Sequence, residues 1–134
     1  MADGALKPVI WIASSHGDLC RLSEDVQDEI GYALYFAQNG RRHASAKPLK
    51  GFGGAGVLEI VENDSGGTYR AVYTINFPNV IYVLHVFQKK SKRGIATPRQ
   101  EIQVIRRRMA IATAHYQEHK NEYEKLKTQD FDGN

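Results

Sequence analysis

The chain has 134 residues, 42% of them apolar and 25% charged, and carries a formal net charge of +3. That is the length and balance of one soluble globular domain with a modest core, and no run approaches the ~20 apolar residues that a membrane span needs. A single cysteine, Cys20, excludes an internal disulfide and fits a reducing cytoplasm, and the five histidines show no metal-ligand spacing.

Pro8–Ala13 (PVIWIA) is a short continuous apolar run, read as a buried strand with Trp11 in the core. With Asp3 ahead of so short a patch, the N-terminus is a poor signal peptide. Ser14-Ser15-His16-Gly17 breaks the strand. From Asp18 the pattern turns helical, with Leu19, Leu22, Val26, Ile30, Ala33, Leu34 and Ala37 recurring at three- and four-residue steps. Asp18 serves as N-cap, and Asn39-Gly40 stops the helix with Gly40 free to turn left-handed.

Residues 40–56 (GRRHASAKPLKGFGGAG) form a basic, glycine-rich connection. A phosphate loop follows a strand and opens a helix; these glycines follow a helix and precede a strand, so the stretch reads as a mobile loop from which Lys50 reaches outward. Val57–Asn63 alternates as a half-buried strand, with Val57, Glu59 and Val61 on one face and Leu58 and Ile60 on the other. Residues 64–67 (DSGG) make a hairpin turn. Tyr69–Asn76 and Val80–Gln88 are the next two strands, joined by Phe77-Pro78-Asn79, where Pro sets φ and Asn tolerates an unusual one. Thr97-Pro98 opens a long helix with Ile102, Ile105, Met109, Ala112 and Tyr116 on one stripe. It runs past Tyr116 into HKNEYEKLK, and no regular structure is expected from Thr128 onward. The elements run β-α-β-β-β-α: an α+β domain over residues 1–134, its core at about 7–116, with a four-stranded, mainly antiparallel sheet and helices packed against it.

Charge is segregated along this frame. Lys89, Lys90, Lys92, Arg93, Arg99, Arg106, Arg107 and Arg108 share twenty residues with one acid, Glu101. Such a run is either a solvated helix face or a surface for a polyanion. Arg70 lies among apolar strand neighbours on the face opposite Tyr69, where a guanidinium needs a carboxylate, a phosphate or a route to water. Lys89 and Lys90 leave the end of the last strand, one on each face, and hairpin pairing brings one of them toward Arg70. Cations gathered around one phosphodiester stabilise the charge of its transition state, and a lysine crowded by them gives up its proton more easily. Ser14-Ser15-His16 has a triad's composition but reads as a turn, and His85 reads as a core histidine that a groove could also use.

The run YRAVYTINFPNVIYVLHVFQKKSK, then TPRQEI and an arginine-bearing helix, preceded by LKGFGGAGVLEI, resembles the RelE/HigB-type toxins of bacterial toxin–antitoxin pairs. The phage-derived, HigB-like branch is the nearest in pattern, over roughly residues 7–109. The resemblance implies a RelE-like fold and a cytoplasmic, ribosome-dependent mRNA endoribonuclease that blocks translation. Cleavage would use the RNA's own 2′-hydroxyl, with no metal or cofactor. It implies mRNA and the ribosome as partners, no membrane, and a helix-turn-helix antitoxin whose complex with the toxin reaches operator DNA. Carried over by position, Arg70 stabilises the phosphate and Lys89 or Lys90 takes the catalytic basic position. Lys50 and Lys92 make secondary contacts, and Arg93 and Arg99 extend the RNA-binding run. RelE itself carries lysines where this chain has VLEIVE, and a tyrosine where it has Thr97-Pro98. Glu59 therefore reads either as a replacement general base or as a solvated strand residue. Two other readings share the fold: a ParE-like gyrase poison, and an inactive member that only binds its antitoxin and DNA.

Overall fold

The computed structural model describes residues 6–54, 56–64, 66–89 and 96–132, with side chains through residue 125. In chain order the elements are β1 (Val9–Trp11), α1 (Ser15–Cys20), α2 (Glu24–Gln38), β2 (Ala46–Pro48), β3 (Val57–Asp64), β4 (Gly67–Thr74), β5 (Ile81–Lys89) and α3 (Arg99–Asp132). The strands make one sheet in the order β1-β5-β4-β3-β2. Strands β2 to β5 are an antiparallel meander, and β1 lies parallel to the outer side of β5, with Val9 opposite Ile81.

The α+β class holds, but the sheet is mixed and has five strands where the pattern predicts four. The added strand is β2, inside the stretch expected as a mobile loop. The His43 ring accepts from the Ser45 backbone N–H at 3.0 Å and bonds its hydroxyl at 2.8 Å, turning the chain so that Ala46, Lys47 and Pro48 pair with Ile60, Glu59 and Leu58. Pro48 is tolerated because β2 is an edge strand and no donor is missing on an inner ladder.

The first helical region is two helices, not one from Asp18. Ser23, in extended conformation, accepts from the Val26 N–H and caps α2. The Gln27 amide donates to the Leu22 carbonyl at 2.8 Å and the Cys20 carbonyl at 3.3 Å, satisfying acceptors that the break leaves open. Asp18 sits inside α1 and accepts from the Ser14 hydroxyl. At the far end Gly40 has φ 77°, and in the β4–β5 connection Asn79 has φ 67°, both as the sequence predicts. The last helix continues to Asp132, through residues where the sequence predicts no regular structure.

Each face of the sheet builds a core. Toward α1 and α2 it presents Leu58, Ile60, Ala71, Tyr73, Ile81, Val83 and Val86 to Leu19, Val26, Ile30, Ala33 and Leu34. Trp11 is only partly buried at the rim of this cluster. Toward α3 the sheet presents Val57, Val72, Tyr82, Leu84 and Phe87 to Ile105, Ala112, Tyr116 and Tyr123. Each fully buried aliphatic side chain contributes about 1.5–3 kcal/mol, so the two faces together hold the sheet between its helices. The α3 face is apolar only at one end. Its other end is polar, and that end is the site described next.

Candidate functional site

Alternation on β4 sends Tyr69, Ala71 and Tyr73 toward α2 and leaves Arg70 and Val72 facing α3. On β5 a plain alternation would send every odd residue from Ile81 to Lys89 toward α2. It does so only for Ile81 and Val83. The β4–β5 register then shifts: Tyr73 pairs with Val83, but Val72 pairs with His85. Leu84 is the extra residue of a β-bulge, and beyond it the phase of the strand is reversed. Val86 now faces α2, while His85, Phe87 and Lys89 face α3, opposite Val72, Arg70 and Thr68. Arg70 thus has Phe87 directly across and His85 and Lys89 as its two diagonal neighbours, at a spacing of about 7–8 Å. One extra residue in the ladder brings the imidazole and the lysine to the arginine's face.

Arg70 does not stand open in this cluster. It is 4% exposed, and its Nη1 lies 2.8 Å from Oε1 of Glu59, itself 8% exposed. The Thr97 hydroxyl donates to the other oxygen of Glu59 at 2.6 Å. Glu59 is therefore a buried counter-ion, not a solvated strand residue. Lys89 is buried too, and its Nζ donates to the Ala96 carbonyl at 2.8 Å. These contacts fasten the chain just before α3 onto the sheet.

A second network runs alongside. His85 Nε2 lies 2.7 Å from Oε1 of Glu101 in the first turn of α3, and its Nδ1 lies 3.2 Å from Nη1 of Arg108. A guanidinium only donates, so Nδ1 is the acceptor and the ring proton sits on Nε2, pointing at the carboxylate. Phe87 stacks on the imidazole at 4.8 Å. Arg108 also donates to the Leu84 carbonyl in the bulge at 3.1 Å and to the Ser14 hydroxyl at 3.0 Å, and Ser14 donates to Asp18. The bulge's irregular backbone is thereby tied to both α3 and the start of α1.

Of the other expected site residues, Arg99 is exposed in the first turn of α3. Lys50 is exposed beside Val57, at the end of β3 and β4 away from Arg70. Its neighbour Gly51 (φ 96°) accepts from Arg106 at 2.8 Å, and that guanidinium lies 4.7 Å over the Phe52 ring. The glycine-rich loop is thus held against α3. Lys90, Lys92 and Arg93 lie outside the described residues. Among the described residues no group of three or more His, Cys, Asp and Glu is placed to hold a metal ion, and no helix is long and apolar enough to cross a membrane.

A family model described as phage derived protein Gp49-like (DUF891) matches residues 17–110, which contain Glu59, Arg70, His85, Lys89, Thr97, Glu101 and Arg108. The chain belongs to the Gp49-like family. No curated protein matches it. Among solved structures, a chain of the toxin–antitoxin complex RelBE2 from Mycobacterium tuberculosis is similar to this Gp49-like chain at 18% identity and a TM-score of 0.44. The overlap covers 65% of this chain and 95% of that one.

Sequence reading of this Gp49-like chain singles out Arg70 and Lys89 but passes over Glu59, Glu101 and Arg108 as partners. Two signals for them were present. Glu101 is the lone acid in a run of eight cations. The tight turn at Asp64–Gly67 sets the hairpin register, which pairs Val61 with Arg70 and puts Glu59 one step along the same face.

Proposed function

We propose that this Gp49-like chain is the toxin of a toxin–antitoxin pair and that it cleaves mRNA on the ribosome, restrained by a small helix-turn-helix antitoxin. The observation that carries the reading is the polar end of the α3 face, where the bulge gathers Arg70, Lys89 and the His85–Glu101 pair. In cleavage the RNA 2′-oxygen attacks the adjacent phosphorus, its proton leaves to a base, and the bond from phosphorus to the 5′-oxygen breaks as that oxygen takes a proton. A cyclic 2′,3′-phosphate and a 5′-hydroxyl end result. Arg70 and Lys89 would stabilise charge on the phosphoryl oxygens as it develops. Glu101, oriented by the Nε2–H of His85, is the base best placed by its environment, since its side chain is 29% exposed. The Lys89 ammonium would supply the proton to the leaving oxygen. Lys50, Lys92, Arg93 and Arg99 would contact the strand outside the reacting step.

The burial of Arg70 against Glu59 favours a second reading, in which the pair is a brace and the chain only binds its antitoxin and DNA. Induced expression without a neighbouring gene, with 5′ ends mapped on total mRNA, separates the two. Growth arrest with new ends inside translated frames is the expected result. No arrest would favour the binding-only reading, and arrest without new ends would point to a different target such as gyrase. Because Arg70→Ala leaves Glu59 buried without its guanidinium, the informative control is Arg70→Met with Glu59→Leu. That variant keeps the volume apolar and the fold intact, and it is expected to be harmless.

A further inference from the structure

The glycine-rich loop and α3 together build a second surface, out of Phe52 and Arg106. The loop is closed at its base, where the Leu49 N–H donates to the Val57 carbonyl at 2.8 Å. Phe52 packs half-buried against the α3-side core. Arg106 lies over its ring at 4.7 Å, and Nη2 donates to the Gly51 carbonyl at 2.8 Å. A side chain at Gly51 would be strained at φ 96° and would stand 3.4 Å from the guanidinium, so glycine keeps this seat clear. Gly53 and Gly54 have open space where side chains would lie, which leaves the ground beside the ring uncovered. Arg106 is thus fixed by a ring and a carbonyl, yet it is exposed. No carboxylate pairs with it, with Lys50 or with Arg99 among the described residues.

The surface is continuous with the proposed cleavage site. Arg99, Gln103 and Arg106 follow at steps of four and three, so they share one exposed face of α3 over about 10 Å. On the β2 side, Lys47 pairs with Glu59 and therefore shares its α3-facing side, and Lys50 is exposed two residues after Pro48. Cations on both elements lead from the Arg70–Glu59 pair to Phe52. We propose that Arg106, backed by Phe52, is a stacking platform for a base of the RNA strand, one that flanks the reacting phosphodiester. The identity of that strand rests on the ribonuclease reading. A guanidinium plane stacks on nucleobases as it does on aromatic rings, and its remaining N–H donors reach phosphate or base edges. Such stacking tolerates any base, while Lys47, Lys50 and Arg99 supply backbone contacts that position the strand.

The test titrates the full chain with a short single-stranded 2′-O-methyl RNA carrying one 2-aminopurine, a strand that cleavage through the 2′-hydroxyl cannot consume. Quenching of the 2-aminopurine on binding is expected, and a strand of the same length without bases should bind about fivefold more weakly or worse. Arg106→Lys keeps the charge and loses the plane; Phe52→Leu keeps the apolar anchor and loses the ring. Both should lose the quenching and the preference for bases while the salt dependence stays unchanged, with folding checked by circular dichroism. Equal binding of the strand without bases, quenching that persists in both variants, or no binding by the parent overturns the platform. The ribonuclease reading fails separately, on absence of new 5′ ends in expressing cells, so stacking without new ends strikes that reading and new ends without stacking strikes the platform.

Discussion

Arg70 and Glu59 form an ion pair with side chains 5% and 10% exposed, so removing one partner strands the other's charge in a low-dielectric site. Arg70→Ala alone is expected to lower stability by about 3–5 kcal/mol, whereas Arg70→Met with Glu59→Leu should stay within about 1 kcal/mol of the parent or exceed it. Urea unfolding of the three proteins checks this. A harmless double variant of unchanged stability would assign the Arg70–Glu59 pair to function and not to folding. Tyr73 makes the opposite case. Its side chain is fully buried, and its hydroxyl has no hydrogen-bond partner among the described residues. Burial pushes that phenol up to about 12 against a smaller opposing pull from Arg42. Below pH 10 both folded and unfolded chains hold the proton; between pH 10 and about 12 only the folded chain does, so stability falls across that window. Tyr73→Phe is therefore expected to stabilise by about 1 kcal/mol at neutral pH, since an unsatisfied buried hydroxyl is removed. It should also flatten the alkaline loss of stability expected of the parent in pH-dependent melting.

Among the elements, α2 owes its start to a single side chain. Ser23 accepts from Val26 N–H, and Glu24 and Asp25 in the first turn complement the helix dipole. Ser23→Ala is expected to cost about 1 kcal/mol, measurable as a lowered urea midpoint with unchanged slope. Strand β5 shows how little is needed to change what a surface can do. It is almost wholly apolar through Phe87, yet one bulged residue reverses its facing and carries His85 and Lys89 to Arg70. Arg108, bonded to the bulge carbonyl, to His85 and to Ser14, makes α3 the element that holds this irregularity in place.

Over the whole molecule, the cations of residues 89–108 and the acids near both ends stand apart in sequence, and the fold carries α3 across the sheet face that bears Arg70 and Lys89. On the proposed reading, the logarithm of the affinity for single-stranded RNA falls linearly in log salt, with a slope of about −0.7 for each phosphate contacted. Fluorescence anisotropy of a labelled oligonucleotide from low to physiological salt measures it. A flat response would remove the electrostatic basis of the ribonuclease reading.

The sequence by itself determined what local periodicity carries. The 3.6-residue stripes place α2 and α3, and period-two alternation places β3 and β4. The Asp64–Gly67 turn sets the hairpin register, and with it the face on which Arg70 and Glu59 meet. The extra strand β2 was not legible, because its three residues pair only once His43 and Ser45 turn them toward β3. Nor was the helix break before Ser23, where apolar spacing runs on unbroken while the caps decide. The bulge at Leu84 belonged to tertiary structure alone: a ladder slips by one residue only relative to its partner, and in Ile81–Phe87, apolar but for His85, alternation holds no mark of which residue will be passed over. That pairing decided which face His85 and Lys89 share, and so whether the chain has a cluster there at all.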